Sequence, residues 1–270
     1  VGDIRGNAEL IKELSQIAAN SGASFAVTTE LAISGYPPRD LLLQSDFVST
    51  CHDVANNLKT EIPVLVGTPV PPSSDRALPG NGVVRAGDSV REITRKQLLP
   101  TYDVFDEARY FEADERPGIA RTIAGLDVGV TICEDAWQHC GATPNDYDSD
   151  PIAQIVEWGR QGVILDATVN LSASPYHANK SSSRIAVARS AASSLNHPFL
   201  LANQVGGNDD LLFDGRSIIA WPDGTVVVAP AWSEGVLLTD LSNPESCSWI
   251  GDGEMKLLAA NEDLEESDED

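Results

Sequence analysis

The chain has 270 residues, 42% hydrophobic and 22% charged, which is the composition of a globular protein long enough to bury a large core. A formal net charge of −23 argues against nucleic acid as a partner, because phosphate contacts need clustered Lys and Arg. No apolar run approaches the roughly 20 residues of a membrane-spanning helix.

No signal peptide is expected. Four cysteines, Cys51, Cys133, Cys140 and Cys247, are too few for a disulfide framework in a chain of this length, so a reducing cytoplasm is the expected setting. Part of the acidity sits in residues 262–270, expected to be a solvated, poorly ordered tail. The rest is spread along the chain, and lysine occurs only at Lys12, Lys59, Lys96, Lys180 and Lys256. Excess surface carboxylate of this kind fits adaptation to high salt, where it maintains solubility.

Residues 7–20 carry Leu10, Ile11, Leu14, Ile17 and Ala18 at helical spacing, with Gly22 as a stop signal. A strand is expected over 24–29, ending at Glu30, followed by a Gly- and Pro-rich turn over 34–40. A helix over 46–60 and a buried strand over 63–67 come next. Residues 78–82 read as a loop, and 83–94 as a hairpin turning at Gly87-Asp88. Residues 95–107 form a polar and aromatic loop without a clean period. A second hairpin, 119–124 with 128–132, turns at Gly125-Leu126-Asp127 and runs into Cys133. A helix over 150–162, a strand over 163–169 and a long Ala-rich helix over 178–196 follow. Strands are expected at 198–202, 216–221, 225–229 and 235–240, with a turn at Pro222-Asp223-Gly224-Thr225. Helices and strands interleave without a strict βαβ period, which predicts mixed sheets layered with helices in one α/β or α+β domain.

The stretch Val128-Gly129-Val130-Thr131-Ile132-Cys133-Glu134-Asp135-Ala136-Trp137 is a buried strand ending in a thiol, two carboxylates and a Trp. A free cysteine is most often a small core residue. A thiol at a strand end, facing a turn, is also where a nucleophile is held rigidly yet reached by substrate. Glu30 and Lys96 also fall at or near expected strand ends. Together the three would carry the chemistry of a thiol amidase, in which the thiol attacks a carboxamide, the carboxylate moves the proton, and the ammonium with a backbone N–H stabilises the oxyanion, although spacing alone does not assign them. The lysine would also favour the thiolate. Other patterns carry less. Cys133, Glu134, Asp135, His139 and Cys140 match no zinc spacing. Residues 205–209 lack the Lys-Ser/Thr of a phosphate loop and read as a turn. None of His52, His139, His177 and His197 has a placeable Ser or Asp partner.

Glu30 within Thr29-Glu30-Leu31-Ala32-Ile33-Ser34-Gly35-Tyr36-Pro37, Lys96 at the head of 96–105, and Cys133 within Ile132-Cys133-Glu134-Asp135-Ala136-Trp137 resemble the Glu-Lys-Cys signatures of the nitrilase (carbon–nitrogen hydrolase) superfamily. Segments 36–42, 102–111, 170–176 and 203–209 are similar to one branch, the glutaminase domain of glutamine-dependent NAD synthetase. The similarity spans residues 1 to about 240. It implies an α-β-β-α sandwich, with an amidase domain over 1–245 and an extension over 246–270. The implied activity is hydrolysis of L-glutamine to glutamate and ammonia through a γ-glutamyl thioester on Cys133. Glu30 would be the base and acid, and Lys96 the oxyanion stabiliser. By the family's pattern Tyr102, Phe105, Glu134, Ser174 and Lys180 would hold glutamine, and Glu107 would orient Lys96. Glu134 and Lys180 suit a zwitterion, offering one charge of each sign.

No cofactor is implied for the amidase step; ATP and magnesium would belong to a separate synthetase domain, whose Ser-Gly-Gly-x-Asp-Ser loop does not occur in this chain. That domain or subunit is an implied partner, and homo-oligomers are common in the superfamily. The family's domain opens with a strand ahead of the Val1-Gly2-Asp3 segment, and its absence is expected to leave backbone groups unpaired. The competing readings are a free-standing carbon–nitrogen hydrolase of another small amide, and an inactive remnant that docks a synthetase.

Overall fold

The computed structural model describes residues 1–74, 77–88 and 91–264. Asp3 opens helix α1 (Ile4–Asn20) by accepting the Gly6 N–H at 2.9 Å, which starts the helix three residues ahead of its apolar stripe. After the short strand β1 (Ala26–Val27), helix α2 (Ser45–Asn56) buries Val48, Cys51 and Ala55 on one face. Strands β2 (Val64–Val70), β3 (Gly80–Ala86) and β4 (Arg91–Arg95) complete a four-stranded sheet in the order β1-β2-β3-β4, with β1 parallel to β2 and the rest antiparallel. Alternation along β2 sorts its side chains. Val64, Val66 and Val70 pack under α1 and α2 with Ala8, Ile11 and Cys51, while Leu65 points the other way.

Strands β5 (Gly118–Ile123) and β6 (Leu126–Ile132) form a hairpin in which Ala124 and Gly125 both take positive φ, 50° and 86°. Leu126 and Asp127, expected in the turn, already belong to β6. Helix α3 (Pro151–Arg160) begins with Asp150 capping the Ala153 N–H and Pro151 in its first turn. Strand β7 (Ala167–Ser172), helix α4 (Lys180–Leu195) and strand β8 (Phe199–Asn203) follow, and β6, β7 and β8 are mutually parallel. Next come β9 (Val205–Asn208), β10 (Leu211–Asp214), β11 (Ile218–Ala220), β12 (Val226–Val228), β13 (Gly235–Asp240), β14 (Asn243–Gly251) and β15 (Lys256–Leu258). The second sheet has seven strands in the order β15-β12-β11-β8-β7-β6-β5, and β9–β10 and β13–β14 are separate ribbons.

Helices α3 and α4 cover the outer face of this sheet, where Ile152, Ile185 and Ala188 meet Phe199, Leu201, Ile218 and Val226. Its inner face sends Val128, Val130, Ile132, Val169 and Leu171 against Leu65 and Val83 of the first sheet. The result is the expected α-β-β-α sandwich, whose two sheets meet through side chains.

Four stretches differ from the sequence reading. The strand expected over 24–29 stops at Val27: Thr28 N–H still reaches Leu65 O at 2.9 Å, but Glu30 N–H turns to Ser172 O of the other sheet at 3.4 Å, and Leu31 takes φ 49°. Gly67 permits that crossing, because a Cβ there would lie 2.4 Å from Thr29 O. Strand β7 begins at Ala167 rather than 163, and includes Asn170 and Ser172, polar residues whose partners are internal. Residues 80–82, read as loop, pair with β2, and 205–208, read as a turn, pair with β10. The ladder partners lie far away or have little hydrophobic contrast, so neither shows as a period.

The boundary expected at 245 falls within β14, and Leu258 of β15 is buried in the core under α4. Residues 265–270 of the acidic tail lie outside the described residues. Among the described residues no strand pairs with the outer edge of β1, and a groove of about 1280 Å³, lined by Phe25, Val27, Leu200, Ile219 and Val236, opens along it. No helix among the described residues is long and apolar enough to cross a membrane.

Leu258→Ala should destabilise the protein by about 2 kcal/mol, read from denaturant midpoints, as for other buried Leu truncations; no change would detach β15 from the core. With a formal charge of −23, added KCl should raise the thermal midpoint by screening carboxylate repulsion.

Candidate active site

Three strand ends converge. Beyond β4, Lys96 N–H continues the ladder to Asn81 O of β3 at 2.8 Å, so Lys96 and Asn81 lie side by side. The chain leaving β1 carries Glu30 to the same place, and β6 ends at Cys133. Glu30 and Lys96 are completely buried, and Cys133 is 7% exposed. Cys133 has φ 45° and opens a single 3-10 turn, Cys133–Ala136. Such a left-handed elbow is uncommon for a residue with a side chain and marks a position held by its surroundings. Asn170 of β7 supplies part of that hold: its Nδ2 donates to Cys133 O at 3.3 Å and to Thr131 Oγ1 at 3.0 Å, while its Oδ1 accepts from Ser172 Oγ.

The Lys96 ammonium donates to Glu30 Oε1 at 2.8 Å and to Glu107 Oε1 and Oε2 at 2.9 and 2.7 Å. Glu30 Oε1 also accepts from Asn81 Nδ2 at 2.7 Å, and its Oε2 accepts from the Ala173 N–H at 3.1 Å. Glu107 Oε1 accepts from Tyr36 OH at 2.8 Å. Burial alone would drive the lysine toward neutrality, but the carboxylates of Glu107 and Glu30 outweigh it and hold the Lys96 pKa well above the ordinary value. Burial pushes Glu107 up to about 7, against the pull of Lys96. The Tyr36 phenol is raised by burial and by Glu107.

The Cys133 thiol is in electrostatic reach of Glu30, Lys96, Glu107 and Glu134. Burial and the Glu30 carboxylate raise its pKa well above the ordinary value, and Lys96 lowers it by less. Lys96 thus acts on the thiol in the expected direction, but burial and Glu30 outweigh it, so the sulfur keeps its proton and needs a local acceptor for it.

The expected substrate contacts divide. Glu134 is 5% exposed, and its Oε1 accepts from Tyr102 OH at 2.6 Å and Tyr147 OH at 3.3 Å. Burial followed by Glu134 raises the Tyr102 phenol well above its usual range. Phe105 packs edge-on against Tyr102, with ring centroids 5.6 Å apart. Lys180, at the start of α4, stands over the Trp137 ring with Nζ 4.0 Å from its centroid. Burial lowers its pKa, and the nearby Glu134 carboxylate opposes that. Ser174 is buried beyond Ala173, with its N–H on Asn203 Oδ1 at 2.9 Å.

Sequence reasoning does not single out Asn81, Asn170, Tyr36, Tyr147 or Trp137. Tyr36, Trp137 and Asn170 stand inside the matching motifs, whereas Asn81 and Tyr147 carry no local signal. The histidine expectation is also corrected. His139 Nδ1 lies 2.8 Å from Asp150 Oδ2, and its Nε2 lies 2.8 Å from Ser194 Oγ.

A family model described as carbon–nitrogen hydrolase matches residues 1–250. The chain is 36% identical over 258 residues to a glutamine-dependent NAD(+) synthetase of Synechocystis sp., covering 91% of this chain and 45% of that protein. It resembles the solved glutamine-dependent NAD+ synthetase of Acinetobacter baumannii with a TM-score of 0.74 and 28% identity, over 87% of this chain and 42% of that one. An amidase of the nitrilase superfamily from Nesterenkonia shares the fold, with a TM-score of 0.62 and 18% identity over 82% and 78% of the two chains. The chain thus spans about half the length of the curated synthetases it matches. It belongs to the carbon–nitrogen hydrolase family.

Proposed function

We propose that this chain hydrolyses the side-chain amide of L-glutamine to glutamate and ammonia. The observation that carries the reading is a buried ammonium, Lys96, held between Glu30 and Glu107 beside the Cys133 thiol. Glu30 takes the thiol proton as sulfur attacks the amide carbon. The carbonyl oxygen becomes an oxyanion, stabilised by Lys96 and by a backbone N–H following Cys133. The intermediate collapses, the C–N bond breaks, and Glu30 returns the proton to the leaving nitrogen, giving ammonia and a γ-glutamyl thioester. Water then adds to the thioester with Glu30 again as base, and release of glutamate restores the thiol.

Glutamine as the amide is supported by charge. A zwitterion needs a carboxylate for its α-ammonium and a cation for its α-carboxylate. Glu134, steadied by Tyr102 and Tyr147, and Lys180 beside Trp137 offer that pair. Phe105 and Ser174 complete the proposed pocket, and Glu107 orients Lys96. Glutamine-dependent NAD(+) synthetases among the relatives favour glutamine over another small amide and point to an ATP-using synthetase as consumer of the ammonia. ATP and magnesium belong to that step, and the amide step as proposed draws only on the protein and water. Four free cysteines fit a cytoplasmic setting, and a homo-oligomer is the assembly proposed.

Cys133→Ala should reduce ammonia release from glutamine by at least about 10³-fold, and Glu30→Gln should reduce it by at least about 10²-fold, because Glu30 moves the proton both in forming and in hydrolysing the thioester. Both are to be measured with and without a synthetase partner, because closure by a partner can gate such sites. Equal ammonia release from wild type and Cys133→Ala would end the thiol mechanism.

Glu107 gives a pH signature. Its pKa rises from 4.5 to about 7 on folding, so the folded state holds the proton more tightly than the unfolded state. Its contribution to stability is full below about 4.5 and falls as pH rises to about 7, by no more than roughly 3 kcal/mol. In Glu107→Gln that part of the slope should vanish, so the variant gains on wild type across this window and not above it. Parallel stability curves would show that Glu107 does not titrate there.

A further inference from the structure

Lys96 hangs from the four-stranded sheet and Cys133 from the seven-stranded one, and among the described residues no strand of one sheet pairs with a strand of the other. Something other than a backbone ladder must set the distance between ammonium and sulfur. Asp135 lies where that link is needed. It is 2% exposed, and its Oδ1 accepts the N–H groups of Gln97 and Leu98, the two residues after Lys96, at 3.0 and 2.9 Å. Its Oδ2 accepts the N–H of Ile132, the residue before Cys133, at 3.0 Å. One carboxylate thereby takes three backbone donors from the two segments that carry the lysine and the cysteine. Glu30 already has its own cross-sheet ties, through Ser172 O and the Ala173 N–H. Lys96 has Asp135.

We infer that Asp135 is a positioning residue, a carboxylate staple that fixes the Lys96 ammonium relative to the Cys133 sulfur across the two sheets. The chemistry of the group follows from the donor count. Only a carboxylate has acceptors at both ends. An amide of the same shape must turn its NH2 toward either Ile132 N–H or the Gln97 and Leu98 pair, leaving buried N–H groups opposed to N–H. The strand end carrying Lys96 is then free to move while the elbow stays folded. The inference depends on Cys133 being the nucleophile, and it does not depend on which amide is the substrate.

Asp135→Asn tests it, with Asp150→Ala, which removes the N-cap of α3, as the control for general loosening. The rate of Cys133 alkylation by iodoacetamide, followed on its own peptide by mass spectrometry, reads the thiol's surroundings without any substrate. Asp135→Asn is expected to slow it at least tenfold, and to lower kcat for glutamine at least tenfold with KM within threefold. Asp150→Ala is expected to lower the melting temperature and leave the alkylation rate alone. Unchanged alkylation in Asp135→Asn, or equal slowing in both variants, overturns the staple. If wild type releases no ammonia from glutamine while Asp135→Asn still slows alkylation, the staple stands and the glutamine reading falls. Should Asp135→Asn fail to fold, hydrogen exchange in the wild type decides: the amides of Gln97, Leu98 and Ile132 opening together support the staple, and independent opening overturns it.

Discussion

The constraint on which the site depends is the burial of one ammonium between two carboxylates. A lone charge at the position of Lys96, with no exposure to water, would be neutral. Glu30 and Glu107 keep it charged, at 2.8 and 2.7 Å. Buried pairs of this kind rarely add to stability over a packed apolar core, and removing one partner leaves an uncompensated charge that costs about 3–5 kcal/mol. The arrangement is therefore better understood as a chemical device than as a structural one. Its charge balance also explains the resting thiol. Burial does most to raise the Cys133 pKa, and Glu30, Glu107 and Glu134 add to it, so the proton rests on sulfur.

Convergence of strand ends is what makes so costly a cluster possible. Each participating segment leaves its sheet at the same rim. Glu30 leaves where Gly67 lets the chain cross β2, Lys96 where β4 ends, and Cys133 where β6 turns left-handed. The strands supply rigidity, and the few residues just beyond them supply reach. Asn170 and Asp135 then saturate the ends of the ladders, on Cys133 O and on the N–H groups of Gln97, Leu98 and Ile132. Polar groups that a strand terminus normally leaves to water are bonded instead to the side chains that fix the site.

Much of this is legible in the sequence, for identifiable reasons. Amphipathic helices such as α1 and α2 show their period, and the apolar run into Cys133 announces a buried strand and an abrupt polar end. Matching motifs bring Glu30, Lys96 and Cys133 together although no spacing rule connects positions so far apart. What stays hidden depends on contacts between distant segments. Asn81 and Asn170 are ordinary polar residues in sequence and become partners of Glu30 and Cys133 only after the sheets pack. Strand β15 is three residues long, and its hydrophobicity means little until Val226 pairs with Leu258. The cysteine's pKa is hidden for the same reason: a single lysine suggests a thiolate, and only packing brings the desolvation and the surrounding carboxylates that outweigh it.

His139 offers the sharper lesson about geometry and function. Asp150, His139 and Ser194 stand in line with 2.8 Å spacings, the distances of a nucleophile activated through imidazole. Yet Ser194 lies in the last turn of α4 (Lys180–Leu195), where a helix presents carbonyl oxygens and the negative end of its dipole. An oxyanion formed there would meet repulsion instead of donors. The line ties the N-cap of α3 to the end of α4, and its hydrogen bonds are fully accounted for by that role. At Cys133 the difference is Lys96, a buried cation within electrostatic reach of the sulfur, where Ser194 has only the carbonyl end of a helix. Hydrogen-bond lengths alone do not separate the two constellations; the sign of the field at the atom that must accept charge does.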